Sequence, residues 1–130
     1  MSEPIQSRNP IRLSLGPIQF FWQKETLLDF YVSMLDAPVD TIYLGEVVCS
    51  RRQKMRFADW YGLAENLADS GKEIILSSQV LLESETDLRR LRKITGQDRF
   101  KVEANDMGAV RLARQHDIPF VAGASLNIYN

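Results

Sequence analysis

The sequence predicts an α/β fold, specifically the N-terminal part of a (β/α) barrel of the TIM type with about five parallel strands and four helices. Three observations predict it. β-rich runs begin near residues 11, 41, 73, 100 and 120. Each interval between them holds one helical stripe, the βαβ rhythm that implies parallel strands joined by right-handed crossovers. The first βα turn, L-G-P-I-Q-F-F-W-Q-K-E, carries no G-x-G-x-x-G fingerprint, which weakens the alternative of an open, doubly wound dinucleotide-binding sheet.

The elements follow in order. Residues 1–10 (M-S-E-P-I-Q-S-R-N-P) have little to bury and read as a mobile arm. Ile11–Leu15 alternates with period two and stops at Gly16-Pro17, as a strand does. In K-E-T-L-L-D-F-Y-V-S-M-L-D, Leu27, Tyr31, Met34 and Leu35 form one stripe, and Pro38 follows the helix end. Asp40–Gly45 is a second strand with an abrupt glycine stop. Phe57, Trp60, Tyr61, Ala64, Leu67 and Ala68 share one side of the next helix, and Gly71 suits the left-handed position past its end.

Glu73–Ser77 is the third strand. Ser84 and Asp87 form a capping pair ahead of the stripe Leu88, Leu91, Ile94, which Gly96 closes. Phe100–Ala104 is the fourth strand. Asn105 or Asp106 caps a helix carrying Val110, Leu112 and Ala113, and Pro119 ends it. A fifth strand starts near Phe120. The chain then stops at S-L-N-I-Y-N with no helix to cover that strand, whereas a full barrel takes about 250 residues. Residues 11–130 are therefore expected to be the front half of a longer, truncated barrel, with strand edges that something should cover.

Composition narrows the function. With 45% apolar and 25% charged residues the chain reads as a globular protein. A formal charge of -1 is a poor footprint for nucleic acid. No apolar run approaches a membrane span, and the first residues lack a signal-peptide core, so a cytoplasmic location is expected. One cysteine, Cys49, excludes an internal disulfide framework.

In barrels and open α/β sheets, chemistry collects at the carboxyl ends of the strands. The polar residues there are Glu46, Cys49, Arg51 and Arg52 after the second strand, and Ser77, Ser78 and Gln79 after the third. Glu103, Asn105 and Asp106 follow the fourth; Ser125, Asn127 and Asn130 follow the fifth. Glu46, Glu103, Asn105 and Asn127 are the candidate catalytic residues, as orienting or proton-handling groups. Cys49 reads either as a small buried thiol or as a metal ligand whose thiolate the neighbouring arginines would favour. Glu103 equally suits a structural ion pair. His116 sits where a helix C-terminus favours a partial positive charge and is not placed for catalysis. Phe20-Phe21-Trp22 is an aromatic run in a rim loop, suited to the core or to an apolar ligand surface.

The combination W-x-K-E-T, then Y-L-G-E-x-V-C-S-x-R, then F-V-A-G-x-x-L-N-x-Y-N resembles the UbiV-type branch of the collagenase-like peptidase family, family U-32, over residues 13–130. That resemblance implies a subunit of an oxygen-independent system that hydroxylates the ubiquinone ring. It implies a UbiU-type sister protein as heterodimeric partner and a ubiquinone precursor as substrate. It also implies a 4Fe–4S cluster held by four cysteines, with Cys49 in the place of the first and the other three expected beyond this chain. Three alternatives stand beside it: a peptidase, as the family name suggests; a non-catalytic subunit that scaffolds or carries electrons; or a tRNA-modifying relative within the same family, against which the slightly acidic charge balance argues. The sequence shows no nucleophile–base pair or H-E-x-x-H run to support the peptidase.

Overall fold

The structure is a computed structural model describing residues 11–49, 51 and 55–128. The expected arm over residues 1–10, together with Arg52 and Asn130, lies outside the described residues.

Strands and helices alternate along the whole described chain. The strands are β1 (Ser14–Leu15), β2 (Thr41–Leu44), β3 (Glu73–Ser77), β4 (Lys101–Ala104) and β5 (Phe120–Ala122). The helices are α1 (Lys24–Ser33), α2 (Phe57–Asp69), α3 (Glu85–Gly96) and α4 (Met107–Gln115). A 3₁₀ turn, Ala124–Leu126, follows β5. All four strand pairings are parallel, and the spatial order is β1-β2-β3-β4-β5. Sequential order decides between the two α/β solutions, because a doubly wound sheet reverses direction at a switch point and this one does not. Crossovers of one hand that always step the same way place their helices on one face of the sheet. The result is an open α/β sheet compatible with part of a (β/α) barrel; it is not closed.

The helix-side face of the sheet carries the core. Ile42, Leu44, Ile74 and Leu76 pack with Leu27 and Tyr31 of α1 and Leu63, Ala64 and Leu67 of α2. Trp22, Phe30, Tyr31 and Trp60 continue this core as a chain of edge-to-face rings 5.4–6.3 Å apart. A second cluster joins Leu91 of α3, Ala104 of β4 and Ala109 of α4.

Several ends differ from the expected ones. β1 is only two residues long because its lower end is closed by a side chain. Leu13 N–H donates to Asp40 Oδ2 (2.7 Å), while Asp40 N–H donates to Leu13 O (2.8 Å). Ile11 is consequently 89% exposed. α1 stops at Ser33, so Leu35 leaves the core stripe for the turn before Pro38. Two ends agree with expectation: Gly96 closes α3 as its last residue, and Gly71 takes a positive φ of 95° after α2. The chain beyond Ala122 turns into the 3₁₀ segment instead of extending β5.

Candidate functional site

The face of the sheet opposite the helices is polar toward the carboxyl ends of the strands. Alternation along each strand puts Thr41 and Tyr43 of β2, Glu73, Ile75 and Ser77 of β3, and Lys101 and Glu103 of β4 on this face. Registry places Tyr43, Ile75 and Lys101 in one row and Ser77, Glu103 and Val121 in the next. At the lower end Lys101 Nζ lies 3.9 Å from Glu73 Oε2, and Thr41 donates to Glu73 (3.4 Å).

The upper row is held from above by Asn105. Its Nδ2 donates to Glu103 Oε1 (2.9 Å) and to the Ser78 carbonyl (2.7 Å). Its backbone N–H donates to Ser78 Oγ (3.0 Å), and Ser78 Oγ–H donates to the Glu103 carbonyl (2.9 Å). Asn105 and Ser78 are both buried, which keeps this network in a low-dielectric setting. The close passage of β5 past Asn105 requires Gly123, since a Cβ there would collide with Asn105 Oδ1. Beside Glu103, Ser77 Oγ is buried and has no hydrogen-bond partner among the described residues. Buried hydroxyls are normally satisfied, so Ser77 marks a position where a ligand group or solvent is wanted.

Tyr43 shares this face. Burial first, then the neighbouring Glu103 and Glu73 carboxylates, raise its phenol above the ordinary tyrosine range. It is therefore a neutral hydroxyl at physiological pH, available as a donor.

The loop after β2 brings the cysteine to the same rim. Gly45 (φ 146°) ends the strand; a Cβ there would sit 2.5 Å from the Ser77 carbonyl oxygen, so only glycine permits this approach. Glu46 then folds its carboxylate back on its own loop: Oε1 accepts from Val48 N–H (3.0 Å) and Cys49 N–H (3.2 Å). Val80 N–H donates to Val47 O (2.9 Å), tying this loop to the one after β3. Ser78 N–H to Glu103 O (3.0 Å) and Gly123 N–H to Ala104 O (2.8 Å) continue the stitching across β4 and β5. Cys49 is half-buried.

The expected residues thus divide into groups. Glu103 and Asn105 form one hydrogen-bonded unit. Glu46 and Cys49 form another on the adjoining loop, joined to the first through main-chain bonds. Asn127 is exposed beyond the 3₁₀ turn with φ 51°, and no hydrogen bond connects its side chain to Glu103 or Asn105. Asp106, rather than Asn105, caps α4, accepting from Ala109 N–H (2.9 Å). His116 caps the other end of that helix, away from the rim. Trp22 packs on Phe30, while Phe20 and Phe21 are exposed. Tyr43 and the unpartnered Ser77 complete the polar face; strand alternation through T-I-Y-L and E-I-I-L-S carries the signal for both.

An iron–sulfur cluster of the four-iron type takes four thiolates. Among the described residues no group of three or more His, Cys, Asp or Glu side chains gathers as a metal site. Cys49 offers one thiolate, so the described residues alone do not form such a centre. No helix among them is long and apolar enough to cross a membrane.

No family model matches the chain, and no solved structure matches it. The fold and the rim define a class: a parallel α/β protein of barrel-type strand order with a polar, partly buried face at the carboxyl ends of its strands.

Proposed function

We propose that the chain is a subunit of an oxygen-independent hydroxylation system acting on the ring of a ubiquinone precursor, paired with a UbiU-type sister protein. In this reading Cys49 supplies one ligand to a 4Fe–4S cluster whose other thiolates come from outside these residues. The observation that carries it is the rim itself. The loop that carries Cys49 follows the carboxyl end of β2, is braced by Glu46 and is tied through Val47 to the loop after β3, whose neighbouring strand ends hold Ser77, Glu103 and Asn105. The sequence resemblance independently puts Cys49 in the place of a ligand.

The chain's own residues have defined tasks. A phenolic ring entering the polar face would find a neutral Tyr43 hydroxyl, an unsatisfied Ser77 hydroxyl and a carboxylate, Glu103, held in one orientation by Asn105. Those groups orient a ring hydroxyl and move its proton. Glu46 acts on the loop, setting the backbone at Cys49. The cluster, when bound, supplies redox chemistry.

The test is iron and acid-labile sulfide, measured with hydroxylation, in anaerobically isolated protein together with its sister subunit. Cys49→Ala should lose cluster iron and ring hydroxylation together. Unchanged iron in that variant removes Cys49 from the ligand set, and peptide hydrolysis without quinone hydroxylation would favour the peptidase instead.

A further inference from the structure

Half of the 16 Lys and Arg residues fall in two short stretches, Arg51–Arg56 and Arg89–Lys93, although the formal net charge is only -1. Neither stretch contains an acidic residue. The fold brings Arg56, at the end of the first stretch, to the second: Arg56 is the N-cap of α2, the second stretch lies along α3, and the two helices are in contact.

Between them runs a groove of about 420 Å³. Arg56, Arg89, Arg90 and Lys93 line it, with the buried Met55 and half-buried Phe57 supplying apolar surface. It continues past Lys93 to Gln97, sharing Arg56, Phe57 and Lys93 with the adjoining stretch. No Asp or Glu lines either part among the described residues. Arg90 is paired with Asp87 (3.5 Å). Asp59, the acid near Arg56, accepts from Arg56 N–H (2.9 Å) and pairs with Lys24 (3.3 Å). Arg89 and Lys93, four apart on α3, have no ion-pair partner among the described residues. Like charges at this spacing repel, a cost to the folded helix that a bound anion would offset.

The size and chemistry of the groove choose among anions. Its volume falls in the range of small-molecule sites. Arginine forks match phosphate oxygens, and several cations together favour a ligand with more than one negative charge. Phe57 offers a ring against which a flat group can stack. We propose that the α2–α3 groove binds a small phosphorylated ligand with at least two negative charges and a planar ring, of the nucleoside-diphosphate class. The groove shares Phe57 and Arg90 with the cavity that reaches Glu46 and Ser77, but its ligand does not depend on the proposed hydroxylation role.

The test is calorimetric titration of the chain with ADP, GDP, pyrophosphate and adenosine at low and high salt. Saturable binding of a nucleoside diphosphate, weakened by salt, is expected, with none for adenosine. The double variant Arg89→Ala/Lys93→Ala, altered only at exposed positions, should bind about tenfold more weakly or worse while its circular dichroism is unchanged. Phe57→Leu should weaken ADP but not pyrophosphate. Absence of saturable binding by either nucleotide, or equal affinity in the double variant, overturns the proposal. So does a short RNA oligonucleotide that binds in the groove and is not displaced by ADP, which would make the groove a macromolecular surface.

Discussion

Asn105 is the residue on which the polar face depends. Its amide reaches both Glu103 and the Ser78 carbonyl, and its backbone is held by Ser78 Oγ. Gly123→Ala would drive a methyl group into Asn105 Oδ1. The expected outcome is a loss of about 1–3 kcal/mol, the cost of disturbing a buried hydrogen-bonded group, measured by urea unfolding. Asn105→Ala should cost a similar amount, since it leaves the Ser78 carbonyl without its side-chain donor. Two tyrosines give a pH signature. Burial raises the phenol of Tyr31, and burial with two carboxylates raises that of Tyr43. A raised pKa means that the folded state keeps its proton after the unfolded chain has lost it. Stability from these groups is fully present below about pH 10 and declines as pH rises above it. Alkaline titration of tyrosinate absorbance should show at least two of the four tyrosines ionising late, together with unfolding. Glu103 and Asn105 were legible in the sequence because a strand followed by a helix cap fixes where they stand. Asn127 was not, because a 3₁₀ turn redirects the chain between it and β5. Nor did the sequence reveal that Glu46 would turn back onto its own loop, a matter of side-chain geometry that residue type leaves open.

Caps and short ladders decide where each element ends. Ser84 Oγ accepts from Asp87 N–H (3.2 Å) and Asp87 Oδ2 accepts from Glu83 N–H (3.0 Å), so both members of the expected capping pair act at the start of α3. α4 begins at Asp106 in the same way. Asp106→Ala should lower stability by about 1 kcal/mol in thermal or urea unfolding without disturbing the Asn105 network. α2 differs. Its N-cap is Arg56, whose side chain carries no acceptor, and Asp59 satisfies the Arg56 N–H instead. That backbone hydrogen bond, more than the nearby Lys24, holds the Asp59 carboxyl below its ordinary range. Helix and strand types were readable from periodicity and punctuation. The length of β1 was not, because Asp40 takes over a ladder position that only the assembled sheet can supply.

At the scale of the molecule, sequential parallel strand order makes one face of the sheet the core and leaves the other for polar groups. Removing core volume should therefore be costly: Leu67→Ala, with Leu67 only 1% exposed, is expected to lose about 2–5 kcal/mol in urea unfolding. The rhythm of strands and helices made the fold class legible, since βαβ spacing and crossover handedness leave few topologies. The clustering of side chains at the rim was less legible, because it depends on registry between strands far apart in sequence. The polar face is most directly tested, under the hydroxylation role proposed above, by Glu103→Gln in the protein combined with the proposed UbiU-type partner, assayed for anaerobic ring hydroxylation beside its melting temperature. Loss of activity by about a hundredfold or more, with melting unchanged, is expected for a carboxylate that handles the ring proton. Wild-type turnover in that variant would contradict the placement of the site.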